Sequence, residues 1–329
     1  MPLWSCFKGR SVFDPHHVTT KLKLSLSQLE QGVPGAHHKV EKRLNQVLDI
    51  VQGQDPSSRL VAALAHHFRV NNIFRDIIAY MHLLHTQERV NAAHIFVTIF
   101  RREIDRCSPT VEYLRARPES FMSIYMGCFE IETNTAFTRM MHECIAHERL
   151  VKILYEDERF YLIFTHAFSA DYTICVTALE LLEALLVRQR MLTAKLMKNN
   201  YERVFKAYNK LMDCSKYIVR REALRLLPQF LIHPFYQEIM VRYVGDLANL
   251  ERVTKLMTHD PIENIQIESF HCFKLFLVNP LMPKDIKAYL IEKREQIVDF
   301  IEEFDRQHGE GANDFDEHKC LLHILRGLK

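Results

Sequence analysis

The chain repeats itself. The segment from Tyr217 to Pro234 overlays the segment from Glu263 to Pro280 without a gap, at a displacement of 46 positions. Glu222 falls on Glu268, Leu224 on Phe270, Leu227 on Phe273, Phe230 on Phe276, Leu231 on Leu277 and Pro234 on Pro280. Farther towards the N-terminus, Leu181-Leu182 with Leu185-Leu186, then Met140-Met141 with Cys144-Ile145, then Ile95-Phe96 with Ile99-Phe100 take up the same register. Doublets spaced by three and four residues make a wide apolar stripe at helical period. The stripes recur every 41 to 46 residues.

That interval is the armadillo or HEAT spacing. Shorter amphipathic segments lie between the stripes, such as Glu158 to Phe168 and Tyr201 to Met212, so each unit is two or three helices. One unit cannot bury its own stripe, and neighbours must stack. The expected fold is all-α: an armadillo/HEAT-like, right-handed helical-repeat solenoid of about six repeats, forming a single domain over 1–329. Its concave face suits an extended or rounded protein partner. Residues 1–17 read as a loosely ordered extension, and 314–329 as a C-terminal capping helix. Ser108-Pro109, Pro118 and Asp171 are helix-start signals. Loops are expected at 32–36, 52–57 and 307–313.

Composition agrees. Only 9 glycines and 11 prolines occur in 329 residues, too few for repeated strand turns. The net charge of +2 gives no electrostatic footprint for nucleic acid or an anionic membrane. No apolar run approaches a membrane span, so no membrane insertion is expected. The eight cysteines include no CxxC, which favours free thiols in a reducing compartment and a cytoplasmic location.

Chemistry-bearing motifs are sparse. No glycine-rich phosphate loop and no GxSxG occur, and no cofactor is implied. His142 and His147 are separated by five residues, about 140° apart on a helix at ~100° per residue, so they do not form a zinc pair. The histidine pairs His16-His17, His37-His38 and His66-His67 read as surface or cap residues, and no metal site is assigned. Asp314 to His318 lacks the ligand alternation of a calcium loop. A Cys–His dyad involving Cys144 stays open as a third, hydrolytic reading, but the expectation is that the chain is not an enzyme. The candidate partner-binding residues are Tyr217, Arg221 and Arg225 on one repeat and Gln266, His271 and Lys274 on the next. Arginine and tyrosine are frequent interface anchors.

The runs Ile99 to Glu103, Ser108 to Tyr113, Glu143 to Glu148 and, above all, Asn264 to Pro280 resemble the Mo-twenty-five scaffold family, also called calcium-binding protein thirty-nine, from about Val18 to Lys329. The resemblance implies a non-catalytic horseshoe of helical repeats that clamps sterile-twenty or germinal-centre kinases and pseudokinases in an active conformation. It also implies capture of a partner's C-terminal Trp-Glu-Phe tail, and roles in polarity, morphogenesis or cytokinesis. The family's pocket arginine falls on Arg221 and its tyrosine on Tyr217. Its pocket methionine falls on Thr254 and its lysine on Glu292, while the arginine and phenylalanine that meet the kinase fall on Pro234 and Gln237. The chain thus reads as a divergent member. The alternative function is a structural adaptor for cytoskeletal or transport complexes.

Overall fold

The computed structural model describes residues 14–52, 59–102, 108–308 and 312–329. Among them are twenty α-helices and no strand. An opening pair, α1 (Pro15–Glu30) and α2 (Ala36–Gln52), is followed by triplets. These are α3 (Arg59–Val70), α4 (Ile73–Tyr80) and α5 (Thr86–Phe100); α6 (Pro109–Arg115), α7 (Pro118–Gly127) and α8 (Asn134–Ile145); and α9 (Glu148–Glu156), α10 (Leu162–His166) and α11 (Tyr172–Arg188). Then come α12 (Arg190–Asn199), α13 (Tyr201–Met212) and α14 (Tyr217–Leu231); α15 (Gln237–Val244), α16 (Leu247–His259) and α17 (Glu263–Leu277); and α18 (Lys284–Glu292), α19 (Arg294–His308) and α20 (Ala312–Gly327). The third helix of each of the first five triplets carries one of the apolar stripes, and the architecture is an all-α helical repeat.

The helices form two compact units. One holds the described residues up to Leu162 together with Ser169–Leu181, and the other holds Ile163–Phe168 together with Leu182–Lys329. In the first, α2 packs on α5 and α5 on α8; in the second, α14 packs on α17 and α17 on α20. The doublets are the reason. Ile95, Phe96, Ile99 and Phe100 are buried, as are Leu226, Leu227, Phe230 and Leu231, and Phe273, Phe276 and Leu277.

The boundaries follow local chemistry. Ser108 Oγ accepts the Val111 N–H, and Pro109 opens α6. Asp171 Oδ1 accepts the Ile174 N–H at the start of α11. The turn between α1 and α2 places Gly32 and Gly35 at φ +68° and +76°, a region costly for any residue with a Cβ. Residues 1–13 of the expected N-terminal extension lie outside the described residues, and Pro15, His16 and His17 are already helical because Asp14 caps α1. The expected loop at 52–57 lies almost wholly outside the described residues. So do residues 309–311 of the one at 307–313, whose flanks are helical.

Buried phenols tie successive helices together: Tyr125 donates to the Phe160 carbonyl, Tyr208 to Ala223 and Tyr236 to Leu186, each at 2.8 Å. Helix α14 runs through Pro228. Proline has no N–H, so the Leu224 carbonyl four residues earlier loses its intrahelical donor. Cys272 of α17 supplies a replacement, its Sγ donating to that oxygen at 3.2 Å.

Candidate functional site

The overlay of the two C-terminal repeats becomes physical adjacency where α14 lies against α17. A surface groove of about 480 Å³ runs between their C-terminal halves. The α14 side contributes Arg225, Pro228, Gln229 and Ile232; the α17 side contributes Glu268, His271, Lys274, Leu275 and Val278. Its floor is apolar and wet. Ile232 is 64% exposed and Val278 57%, a pair of aliphatics at one repeat position that contribute nothing to the core.

The rim is charged and internally paired. Arg225 contacts Glu222 at 2.7 Å and Glu183 at 3.1 Å. Arg221 lies 3.3 Å from Glu222 and 3.9 Å from Glu268. Burial pushes the Glu268 carboxyl above its ordinary range, opposed by the charges of Arg221 and Arg225. Burial also acts to lower the Arg225 value, but its bonds to Glu222 and Glu183 outweigh it and the net shift is upwards. An incoming carboxylate must therefore exchange with an internal one.

Of the six sequence candidates, Arg225, His271 and Lys274 line the groove, and Arg221 reaches its edge through Glu268. Tyr217 is 37% exposed and accepts a hydrogen bond from the Asn264 amide at 3.2 Å, about two turns of α14 before Arg225, the first groove residue of that helix. Gln266 is elsewhere. Its amide donates to the Asp260 carbonyl at 2.8 Å, and it lines a different hollow with Gln296 and Phe300. Five residues separate it from His271, about 140° of helix at ~100° per residue, so the two cannot share a face.

Sequence reasoning missed Ile232 and Val278, although its own overlay places one on the other. The signal was a repeated branched aliphatic one residue beyond the stripe. It also missed Glu183. A larger hollow of about 640 Å³ near Arg220 and Arg252 holds none of the six candidates, and its charges are likewise paired, Arg220 with Asp260 and Arg252 with Asp213 at 2.9 Å.

The positions where the resemblance breaks are accounted for. Thr254 is buried in α16. Glu292 ends α18 beside Lys293 at 2.9 Å. Pro234 opens a short turn and Gln237 opens α15; both line a shallow hollow with the exposed Phe235. Cys144 has no exposure and burial drives its thiol well above its ordinary value, so the thiolate that nucleophilic attack requires is suppressed. Helix α8 ends at Ile145, so His142 and His147 do not even share a helix. Among the described residues no helix is long and apolar enough to cross a membrane.

The family model described as Mo25-like matches residues 5–329. The human protein named "Calcium-binding protein 39-like" is 29% identical over 335 residues, covering 100% of this chain and 98% of its own length. "MO25-like protein 2" of Caenorhabditis elegans is 30% identical over 327 residues, covering 95% and 96%. The "Mo25-like protein" of Schizosaccharomyces pombe is 25% identical over 264 residues, covering 79% of each. With a match that runs nearly from end to end on an all-α helical-repeat chain, this protein belongs to the Mo25-like family.

Proposed function

We propose that the chain is a non-catalytic scaffold that binds sterile-twenty or germinal-centre protein kinases or pseudokinases and stabilises their active conformer, in signalling that governs polarity, morphogenesis or cytokinesis. The observation that supports this most directly is the α14–α17 groove. Two solvent-exposed aliphatics and a paired-charge rim on a rigid helical frame suit recognition of a protein segment. Activation then needs no chemistry from the scaffold. Tighter binding to the active conformer shifts the population in proportion to the difference in affinity.

Glu292 stands where the family has a lysine, and Thr254 where it has a methionine, so the tail accepted here differs from Trp-Glu-Phe or is absent. An apolar anchor for Ile232 and Val278, flanked by a group able to replace Glu222 or Glu268 on the arginines, fits the groove's chemistry. Pull-down from a lysate with the wild-type chain and with Ile232→Asp, followed by mass spectrometry and a kinase assay with each recovered partner, tests the proposal. A kinase-fold protein retained by the wild type, lost by the variant and more active when bound is the expected result. Repeated recovery of no such protein, or equal recovery by both baits, overturns it. Co-purification of tubulin or coat proteins regardless of the groove supports the adaptor reading instead.

A further inference from the structure

A second site lies in the N-terminal unit, away from the groove. His37 stands in the first turn of α2, His85 immediately precedes α5, and Glu88 is in the first turn of α5. The packing of α2 on α5 brings the three together. His37 Nδ1 lies 3.4 Å from Glu88 Oε2 and His85 Nδ1 lies 4.0 Å from the same oxygen. One ligand atom from each residue falls within 4.8 Å of the other two. We propose that His37, His85 and Glu88 bind a divalent ion of the zinc class.

Distance comes first. A tetrahedral ion with bonds of about 2.0–2.2 Å holds its ligands roughly 3.3–3.6 Å apart. The His37–Glu88 separation of 3.4 Å already has that value, while His85 Nδ1, 4.0 Å from the same oxygen, lies beyond it. The rings are stacked, with centroids 3.9 Å apart and planes 10° from parallel. An ion bound in the plane of each ring cannot serve two parallel rings, so one ring must swing. The His85 side chain is 69% exposed and has the room to do so.

Charge is the second argument. The Glu88 side chain is only 3% exposed. Among the described residues, its carboxylate is met by the His85 backbone N–H at 2.7 Å and by the two imidazoles, with no lysine or arginine paired to it. A buried carboxylate is costly unless paired, and a divalent ion held by it and the two imidazoles would give it a permanent counter-charge. The donor set also selects the ion. Two nitrogens and one oxygen suit zinc and its transition-metal neighbours, whereas calcium takes six to eight oxygens. The fourth position is left to water or to an outside group. No spacing in the sequence points to this cluster, because His37 and His85 are 48 residues apart and meet only through the repeat stacking.

The test uses the full chain, stripped with chelator and titrated calorimetrically with Zn²⁺, and separately loaded with Co²⁺ as a spectroscopic probe. The expected result is one Zn²⁺ per chain, undisturbed by excess Ca²⁺, with Co²⁺ giving visible d–d bands and no thiolate charge-transfer band. Losing an outer hydrogen-bond partner alone weakens metal sites by about tenfold or more, so the His37→Ala/His85→Ala double variant should lose at least that much. Its metal-free thermal midpoint should be unchanged. Should the double variant misfold, His85→Ala alone, at the more exposed position, carries the same comparison. Glu88→Gln is a poor choice because Glu88 also caps α5. Equal Zn²⁺ affinity in wild type and variant, no Zn²⁺ uptake by the wild type, or a thiolate band in the Co²⁺ spectrum overturns the proposal.

Discussion

The pairs α5–α8 and α14–α17 occupy equivalent places in the repeat, yet their surfaces differ. The position after the second doublet holds Arg101 on α5 and Ile232 on α14. Arg101 reaches across to α8, Nε to Glu143 Oε2 at 2.9 Å, and Arg139 of α8 reaches back to His94 at 3.3 Å. These polar arms close the seam. At the C-terminal pair the same position carries Ile232 and, one repeat on, Val278, which span nothing and leave the seam open. The core stripe is nearly constant along the chain, and the position beside it differs between a pair of helices bridged by polar arms and a pair that leaves an open groove.

The largest effect expected is on the core that both pairs share. Leu227→Asp places an unpaired carboxylate where exposure is zero and should cost about 4 kcal/mol or more. Calorimetry should show the transition of the C-terminal unit displaced or lost. A normal melting profile would mean that the stripe does not carry that unit's stability.

In the N-terminal unit the corresponding probe is Gly127→Ala, on α7 where it meets α8. A Cβ there would sit 2.1 Å from the buried Phe137 ring, and overpacking of this kind costs about 1–3 kcal/mol. Chemical denaturation should report a lowered midpoint with an unchanged m-value. No loss would mean that Phe137 moves aside without cost.

Much of this architecture is legible in the sequence, and the reason is energetic. The doublets at Leu226-Leu227 and Phe230-Leu231 must be buried for the chain to fold at all, so their period reports helix, repeat and stacking together. The groove is less legible. Arg225 and His271 fall on one another in the 46-residue overlay, and Lys274 lies one turn on from His271. Gln266 lies about 140° from His271 at ~100° per residue, a spacing that already argues against it, and the packing of α16 on α17 shows where it goes instead. Ile232 directly follows the Phe230-Leu231 doublet and shares its apolar character. Hydropathy does not reveal that the stripe is already wide enough without it. The His37, His85 and Glu88 cluster was invisible for a related reason, since its members belong to helices separated by an intervening pair.

Giving the C-terminal seam the residue of the N-terminal one makes the comparison direct. Ile232→Arg lies at an exposed position and should move stability within about ±0.5 kcal/mol. It should weaken partner binding at least about tenfold, or ~1.4 kcal/mol, by removing an apolar anchor. Unchanged affinity, read by calorimetry with the purified partner, would show that the groove is not the docking surface.

Both units should weaken in alkali. Burial pushes the Cys128 thiol in the first unit from 9.0 up to about 12, and the Cys272 thiol in the second upwards as well. Each stays protonated in the folded state while its unfolded counterpart ionises. Their contribution is thus complete below pH 9 and is lost progressively as pH rises from there towards the folded values. Denaturant midpoints measured from pH 8 to 11 should fall, and Cys128→Ala should flatten the fall in the first unit alone. An equal slope in the variant would assign the alkaline loss to Cys144 and the buried tyrosines instead.

The smallest effect is expected from the reciprocal exchange. Arg101→Ile removes an exposed pair with Glu143, and such pairs contribute about 0.2–1 kcal/mol, so the thermal midpoint of the first unit should barely move. Nor should the variant acquire partner binding when combined with Ile232→Arg. An aliphatic at this position is necessary for the groove but insufficient, because α5 and α8 lack the rim that Arg225, Glu268 and Lys274 build around Ile232 and Val278. Recovery of binding in the double variant would show that the aliphatic alone specifies the site and that the charged rim is dispensable.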